Sequence, residues 1–395
     1  MRPSSFVHTL TSQTEILSSL FLRHCKLGHA FTLWRQPGLT EKHFLVCTEG
    51  VQELDELFIE ESRPGFVFAP FDTSKKKLFL TADIVYSFSS HDPLEGKFSE
   101  KELHELNHEF QKETKKELVH FPVSVPAISV DQSSYLKLVQ QSIDFIRQGH
   151  AEKIVPSRSM SFELKSNFDV VETFDQLCEL YPNAMVSLVS IPDVGTWIGV
   201  TPELLVSIDS AKCFKTTALA GTQAYNDSID LREVTWTQKD IEEQALVSRY
   251  IINCFKRIRL RDFKEHGPKS FVAGNLIHLK TDFEADIVGT GFSQLGSQML
   301  GLLHPTSAVC GTPLDASKEF LRNFEGFDRE FYSGFLGPVN FQNETQLFVN
   351  IRCLQLTRQG VILYAGAGVT LDSVPEKEWE ETEMKMDTLL RVITS

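Results

Sequence analysis

The stretch from residue 346 to the C-terminus constrains the fold most, because two strand-like runs and a helix follow one another through short connections. The pattern predicts strands over 346–356 and 360–370 and a last helix over 375–392. These elements carry an arginine, Arg352, a glycine turn, several carboxylates and a lysine, Lys385. Such a set of groups is suited to holding a cation and an anionic substrate.

Upstream of this stretch, short apolar runs alternate with amphipathic segments. Runs over 185–191, 196–200 and 203–208 are joined by Pro, Asp and Gly turns, and we expect neighbouring strands so close in sequence to be antiparallel. Helical spacing of apolar residues is found over 134–148 and 239–257. The alternation predicts an α+β fold.

A charged stretch divides the chain once. Residues 91–118 are dense in Lys, Glu and His and poor in β-branched residues, which predicts a solvated helix or a mobile connector. Before it lie strand-like runs in which we recognise no chemistry, whereas the remainder of the chain is rich in motifs.

The composition disfavours several classes of function. The chain has 395 residues, of which 42% are hydrophobic and 23% charged, as is typical of a globular enzyme. A net charge of -14 disfavours nucleic-acid binding, which needs a basic face. No apolar run reaches the roughly 18 residues that span a bilayer, and the seven cysteines stand singly. We therefore expect a cytoplasmic protein with reduced thiols and no membrane association.

The helix predicted over 239–257 contains a misplaced charge. Glu243 falls at the centre of its apolar stripe, formed by Leu246, Val247, Tyr250, Ile251 and Cys254, whereas Glu242 lies to one side. A carboxylate in that position is costly unless it is paired or bound to a metal. The alternative is a first-turn glutamate that reaches solvent or complements the helix dipole.

The last helix places further charges beside its apolar stripe. Glu378, Glu381 and Lys385 follow one edge of the stripe at i, i+3 and i+7. If this helix and the helix bearing Glu243 share one core, their oxygen ligands could meet, and an all-oxygen site suits Mg²⁺. The alternative is a solvated acidic face with Glu–Lys pairs at i,i+4.

Two residues are candidates for proton transfer. Lys153 lies in an apolar, strand-like context, where desolvation could lower its pKa and make it a base. Glu203 follows Thr201-Pro202 at the start of a strand, where a raised pKa would make it a proton donor. The alternatives are a surface lysine and a carboxylate in a turn.

Beyond these groups, nine motifs resemble the chorismate-utilising enzymes, and most closely their isochorismate synthases. They cover the chain from about residue 130 to the end in the family's order: Lys153-Ile-Val-Pro-Ser-Arg158, Thr201-Pro-Glu-Leu-Leu-Val206, Leu219-Ala-Gly-Thr222, Lys239-Asp-Ile-Glu-Glu-Gln244, Leu303-His-Pro-Thr-Ser-Ala-Val-Cys-Gly311, Phe327-Asp-Arg-Glu330, Asn350-Ile-Arg352, Tyr364-Ala-Gly-Ala-Gly368 and Glu378-Trp-Glu-Glu-Thr382. The resemblance implies one large α+β fold with two subdomains of antiparallel sheet backed by helices, and an active site between them. Residues 121–395 would form the chorismate-binding core, and residues 1–120 a divergent N-terminal part of the fold.

The resemblance also implies roles for particular residues. Glu243 and Glu381 would ligate Mg²⁺, with Glu378 helping directly or through water, and the ion would hold the ring carboxylate of chorismate. Lys153 would activate a water that attacks C2, while Glu203 protonates the departing C4 hydroxyl. The remaining substrate contacts would come from the Gly221 and Thr222 backbone, His278, Ala308, Arg352, the Gly366 backbone and Lys385.

Within the family, two positions favour water over ammonia as the nucleophile. Lys153 is present where ammonia-using members resemble one another in lacking it, and Ala220 stands where many aminodeoxychorismate synthases have a lysine. Ala308 favours release of isochorismate over its conversion to salicylate. Gln244 and Val309 depart from the histidine and leucine common in the family.

Three alternatives remain at this point: a salicylate synthase, a catalytically silent family member and an unrelated Mg²⁺-dependent hydrolase. The expected partner is chorismate, with no nucleic acid or membrane, and the expected state is a monomer or weak dimer. The product could serve menaquinone or siderophore biosynthesis, of which menaquinone is preferred.

Overall fold

The structure is a computed structural model that describes residues 12–89, 98–111, 118–123, 129–225, 230–273 and 276–394. Its helices are α1 Gln13–Lys26, α2 Glu100–Gln111, α3 Gln132–Arg147, α4 Val170–Leu180, α5 Gln238–Arg257, α6 Ile287–Thr290, α7 Leu295–Leu303, α8 Leu314–Phe324 and α9 Pro375–Ile393. Its strands are β1 Ala30–Arg35, β2 Lys42–Cys47, β3 Gln52–Leu54, β4 Gly65–Ala69, β5 Lys77–Thr81, β6 Ile84–Phe88, β7 Lys153–Ile154, β8 Ser157–Phe162, β9 Met185–Ile191, β10 Gly195–Thr201, β11 Leu204–Ile208, β12 Cys213–Ala224, β13 Lys264–Ala273, β14 Leu276–Asp286, β15 Gly311–Thr312, β16 Phe335–Val339, β17 Thr345–Val349, β18 Cys353–Thr357 and β19 Gly360–Gly366.

Local sequence signals account for where the long helices begin. A capping box opens α5, because Thr237 and Asp240 satisfy each other's backbone N–H groups. Pro375 occupies the first turn of α9, where its missing N–H costs nothing. Both helices start within one residue of the prediction.

Two large antiparallel sheets form the body of the described part of the chain, as the sequence predicted. The first sheet has the strand order β6-β2-β1-β9-β10-β18-β19-β8, and the second has the order β13-β14-β12-β11-β17-β16-β4-β5-β3. A third, two-stranded sheet pairs β15 with β7 and so fixes the backbone of Lys153. The fold is α+β, with three sheets whose described strand pairs are antiparallel.

The chain passes between the large sheets at two places that the sequence analysis took for continuous sheet. The runs over 196–200 and 203–208 were predicted to be neighbours, but β10 lies in the first sheet and β11 in the second. The predicted strand over 346–356 was also wrong, since it breaks at Asn350–Arg352 into β17 and β18 in different sheets. Pro202 explains the first break, because it donates no backbone hydrogen bond, and a left-handed φ of 47° at Arg352 accompanies the second.

Backbone hydrogen bonds join these two crossings. The N–H of Val349 donates to the carbonyl of Glu203 over 3.0 Å, and the N–H of Val200 donates to the carbonyl of Arg352 over 3.0 Å. Two predicted site residues therefore lie side by side where the chain leaves one sheet for the other.

Apolar clusters fill the space around the sheets. One cluster lies between the sheets and includes Trp34 and Trp197 from the first sheet and Phe68 from the second. On the outer faces, α9 packs Met386 into the cluster of the first sheet, whereas α5 packs Val247 into the cluster of the second. The two helices therefore do not share one core, and charged side chains at their N-terminal halves connect them instead.

The N-terminal part of the chain completes both large sheets. Strands β1, β2 and β6 extend one edge of the first sheet, and β3, β4 and β5 extend one edge of the second. For residues 91–118 the sequence left a solvated helix or a mobile connector open; α2 is a helix, while residues 91–97 and 112–117 lie outside the described residues. The division at residue 120 stays a proposal.

Membrane association can be tested only through the helices. No helix in the described ranges is both long and apolar enough to cross a bilayer.

Candidate active site

A cavity lies where the two crossings, α5 and α9 meet. Ten of the predicted site residues line it: Glu203, Gly221, Thr222, Glu243, His278, Ala308, Arg352, Gly366, Glu381 and Lys385. The fold thus brings ten residues that were predicted from distant parts of the chain to one cavity. Two predicted residues, Lys153 and Glu378, do not line the cavity and lie behind its wall.

Lys153 is fully buried behind Glu243. Its Nζ atom lies 2.7 Å from Oε1 of Glu243, and its side chain has no exposed surface. A Cβ atom at Gly368 would collide with the Glu243 carboxylate and with the Lys153 side chain, so glycine is required for this approach. The alternative of a surface lysine is therefore wrong.

Glu203 has the properties of a proton donor. It is 4% exposed, and its Oε1 accepts a hydrogen bond of 3.3 Å from the Thr306 hydroxyl. Burial raises the pKa of Glu203 to about 7, against the opposing influence of Lys153 and the Thr306 hydrogen bond. In a large fraction of molecules the Glu203 carboxyl is therefore protonated at neutral pH and can donate a proton.

Arg352 faces the cavity without a carboxylate partner. Among the described residues no Asp or Glu oxygen lies within salt-bridge distance of its guanidinium, although the side chain is buried. Burial lowers the pKa of Arg352 to about 10, so the group stays positive at neutral pH. A buried, unneutralised guanidinium is a site for an anionic group of a ligand.

His278 orients that guanidinium. Its Nδ1 donates to the carbonyl of Gly221 over 2.7 Å, which leaves Nε2 as the acceptor of a hydrogen bond from Nη2 of Arg352. Burial and the adjacent Arg352 charge hold the pKa of His278 well below its usual range, so the ring stays neutral. The imidazole thus fixes the arginine, a role that the sequence analysis did not assign to it.

Three lysines and three glutamates form a charged cluster where the N-terminal half of α5 meets α9 and β7. We call it the lysine–glutamate cluster, and its ion pairs are Lys153–Glu243 at 2.7 Å, Lys239–Glu378 at 2.5 Å and Lys385–Glu381 at 2.7 Å. Lys385 also donates to the carbonyl of Gly366 over 2.8 Å. The predicted burial of Glu243 is confirmed, and the Glu381–Lys385 contact is the i,i+4 pair considered as the alternative.

The cluster supplies the donor atoms that Mg²⁺ prefers, but its carboxylates are engaged by ammonium groups. In the described ranges no three His, Cys, Asp or Glu side chains are arranged to hold an ion as they stand. Glu378 is 1% exposed, and its Oε2 has no hydrogen-bond partner within 3.5 Å among those residues, although the Ser373 hydroxyl acts on the carboxylate from farther away. A buried carboxylate oxygen beside the cavity, close to two further carboxylates, fits an oxygen-binding divalent cation.

A second ion pair supports the wall of the cavity and was not recognised in the sequence. We call Glu325 and Arg329 the wall pair: Nε and Nη2 of Arg329 donate to the carboxylate, and Nη1 and Nη2 donate to the carbonyls of Val309 and Val155. Ser157 donates to Glu325 through both its N–H and its hydroxyl. Val155 and Val309 line the cavity, so the wall pair holds that backbone in place.

Other residues of the site were also missed. Tyr332 and Tyr364 line the cavity, and their rings stack with centroids 5.3 Å apart. Lys239 belongs to the lysine–glutamate cluster, and the signal that could have revealed it is its position four residues before Glu243 on one helix face. Tyr364 opens one of the nine motifs but was given no role, whereas no comparable sequence signal marks Tyr332, because aromatic residues are common in cores.

Taken together, the buried acid, the oriented arginine and the carboxylate cluster suit an enzyme that acts on a small anion by proton transfer in one cavity. The sequence model of the family described as chorismate binding enzyme matches residues 69–394. The chain belongs to this family.

Relatives agree with that assignment. The chain is 28% identical to isochorismate synthase DhbC of Bacillus subtilis (strain 168) over 349 residues, which cover 84% of this chain and 81% of the relative. It is 30% identical to isochorismate synthase EntC of Escherichia coli (strain K12), covering 66% of this chain and 67% of the relative. The crystal structure of DhbC from Bacillus anthracis matches with a TM-score of 0.73 at 25% identity, over 96% of this chain and 99% of that chain.

Proposed function

We propose that the protein is an isochorismate synthase, an isomerase that converts chorismate to isochorismate reversibly. The observation that carries the proposal is Glu203, a buried carboxyl with a pKa of about 7 in the cavity wall beside the unneutralised Arg352. A proton donor next to an anion-binding guanidinium suits the departure of a hydroxyl group from a substrate that carries carboxylates. The relatives named as isochorismate synthases support the same reaction.

The proposed chemistry replaces one hydroxyl by another. Lys153, as general base, removes a proton from a water whose oxygen bonds to C2 of the ring. The ring double bonds shift, the bond between C4 and its hydroxyl oxygen breaks, and Glu203 gives its proton to that oxygen, so that one water is consumed and one released. For this role the ion pair with Glu243 must break, the ammonium proton must pass to solvent, and the Nζ atom of Lys153 must reach the cavity from its position behind the wall.

The other groups of the site would position the substrate. Arg352, held by His278, would bind the enolpyruvyl carboxylate with the Gly366 backbone, and Lys385 would add positive charge. The Gly221 and Thr222 backbone would lie near the ring carboxylate, and Ala308 would contact the ring. Glu243, Glu381 and Glu378 would hold Mg²⁺, which when bound supplies positive charge for the ring carboxylate.

The test is to incubate the purified protein with chorismate, with and without Mg²⁺, and to separate the products by chromatography. Lys153→Ala is compared with Lys137→Ala, which removes an exposed lysine from α3. Mg²⁺-dependent isochorismate without salicylate, absent in Lys153→Ala and retained in Lys137→Ala, is expected. Salicylate with pyruvate would assign the protein to the salicylate synthases, and no turnover with or without ammonia would contradict the proposal.

A further inference from the structure

Lys239 connects the two helices of the lysine–glutamate cluster. It lies in the first turn of α5, and its Nζ atom is 2.5 Å from Oε1 of Glu378 on α9. The Glu378 side chain is 1% exposed, whereas the Lys239 side chain is 23% exposed. The anion of this pair is thus enclosed, while the cation reaches it from the side that is open to solvent.

The Lys239 ammonium group interacts electrostatically with all three carboxylates that are assigned to the metal. Burial acts to lower the pKa of Lys239, but Glu378, Glu381 and Glu243 together outweigh it and leave the pKa above its ordinary value. Lys239 therefore stands among the proposed ligands as the positive charge that balances them. This agrees with the finding that the described carboxylates are not arranged around a common point as they stand.

If the Lys239–Glu378 ion pair served only the fold, we would expect both oxygens of Glu378 to have close hydrogen-bond partners. Oε2 of Glu378 is enclosed and has no hydrogen-bond partner within 3.5 Å in the described part of the chain, while the Ser373 hydroxyl acts on this carboxylate as a longer, weaker donor. Buried carboxylates that serve only the fold usually have both oxygens satisfied. The lysine has a long, flexible side chain that is partly exposed, so it can leave Glu378 without repacking of the core.

We propose that Lys239 is the resident counter-cation of the metal site: it occupies Glu378 when Mg²⁺ is absent, yields this carboxylate to the ion, and so weakens the binding of Mg²⁺. The inference rests on the proposed function, which assigns the three carboxylates to the metal. Its consequence is that Mg²⁺ must displace an internal charge, so the affinity of the free protein for the ion is lower than three buried carboxylates alone would give.

The test is isothermal titration calorimetry of Mg²⁺ into the full-length protein without chorismate. Lys239→Gln is compared with Lys377→Gln, which removes the same charge from an exposed residue adjacent to Glu378 in sequence. We expect Lys239→Gln to bind Mg²⁺ about tenfold more tightly than the wild type, because a competing cation is gone. Lys377→Gln should stay within about twofold, since an exposed charge is screened.

Thermal unfolding provides a second measurement. In EDTA, Lys239→Gln should melt below the wild type, because Glu378 is left buried and unpaired, and saturating Mg²⁺ should raise its Tm by more than that of the wild type. Lys239→Arg, which keeps the charge, should behave like the wild type in both measurements.

The outcomes separate the two proposals. If the wild type binds Mg²⁺ and Lys239→Gln binds it equally or more weakly, Lys239 is not a competitor and this inference is overturned. If the wild type binds no Mg²⁺ with or without chorismate, the metal assignment fails first and the inference falls with it. A gain in affinity shared by Lys377→Gln would also overturn it, because the effect would then come from net charge alone.

Discussion

The wall pair and the lysine–glutamate cluster are both buried ion pairs beside one cavity, yet they differ in how completely their polar atoms are satisfied. In the wall pair, both oxygens of Glu325 accept hydrogen bonds, and all three guanidinium nitrogens of Arg329 donate. In the cluster, Glu378 keeps one oxygen without a close partner. A fully hydrogen-bonded pair such as Glu325–Arg329 stiffens the structure around it, whereas a carboxylate oxygen without a close donor can still accept a ligand.

Among the variants that test the roles of these buried groups, the largest expected effect is on catalysis. Glu203→Gln keeps the shape of the side chain but removes the proton that the reaction needs, so kcat should fall by about 10²–10⁴-fold. Steady-state kinetics with chorismate measures the loss. Glu242→Gln, which changes an exposed glutamate next to Glu243, should retain kcat; equal losses in both variants would show that Glu203 is no proton donor.

Breaking the wall pair should be the largest effect on stability. Arg329→Met leaves Glu325 buried and unpaired, and we expect the free energy of unfolding to fall by about 3–5 kcal/mol. Urea denaturation followed by circular dichroism measures the change. As a control, Arg391→Met removes an exposed partner of Asp387 and should cost less than about 1 kcal/mol. Similar losses in the two variants would show that saturation of the wall pair has no energetic consequence.

The pH dependence of the reaction should sharpen the assignment of Glu203. Its pKa of about 7 lies above the ordinary value of 4.5, so its acid form is favoured in the folded state. We expect kcat/KM to fall about tenfold per pH unit well above pH 7, as the proton is lost. Glu203→Gln should abolish this limb in what activity remains; a limb that persists in the variant belongs to another group.

The raised pKa of Glu203 also predicts that the free energy of unfolding depends on pH. A carboxyl with a raised pKa stabilises the fold below its unfolded value, near pH 4.5, and this contribution is lost as the pH rises through about 7. The wild type should therefore lose stability relative to Glu203→Gln between these pH values. Paired denaturation curves at about pH 5 and pH 8 measure the difference, and curves that keep a constant separation would contradict the assigned pKa.

The smallest effect concerns strain next to the wall pair. Glu330 has a left-handed φ of 49°, and burial, with the nearby Asp328, raises its pKa to about 7. Glu330→Gly should raise the free energy of unfolding by less than about 1 kcal/mol at about pH 8, because it removes the strain and a half-buried charge but also the hydrogen bond that the buried Gln355 donates to Glu330. Asn343→Gly, at a φ of 65°, should change it little, since asparagine tolerates this conformation. Equal gains would show that the strain at Glu330 is not special.

Much of the fold and most of the site could be predicted from the sequence. The long helices follow from apolar spacing and caps, and ordered motifs identified ten residues that the structure brings to one cavity. The errors lie at the crossings. The separate runs over 196–200 and 203–208 were taken for neighbours in one sheet, and residues 350–352 for part of one strand, because period-two patterns do not reveal which sheet a strand joins. Lys239 was missed because its partner Glu378 comes from another helix. The wall pair was missed although its residues are four apart, because Arg329 lies beyond the end of α8 and most of the hydrogen bonds that mark the pair come from distant backbone at Val155, Ser157 and Val309.

The hydrogen bonds that join the two crossings have a mechanical consequence. One bond continues the pairing of β11 with β17 in the second sheet and the other the pairing of β10 with β18 in the first, so the segments that carry Glu203 and Arg352 are bound to each other at both ends of the crossing. The N-terminal strands lie toward the far edges of these sheets, away from the two hydrogen bonds that join the crossings. Changes in those outer strands can therefore alter the surface of the protein while the distance between Glu203 and Arg352 is preserved.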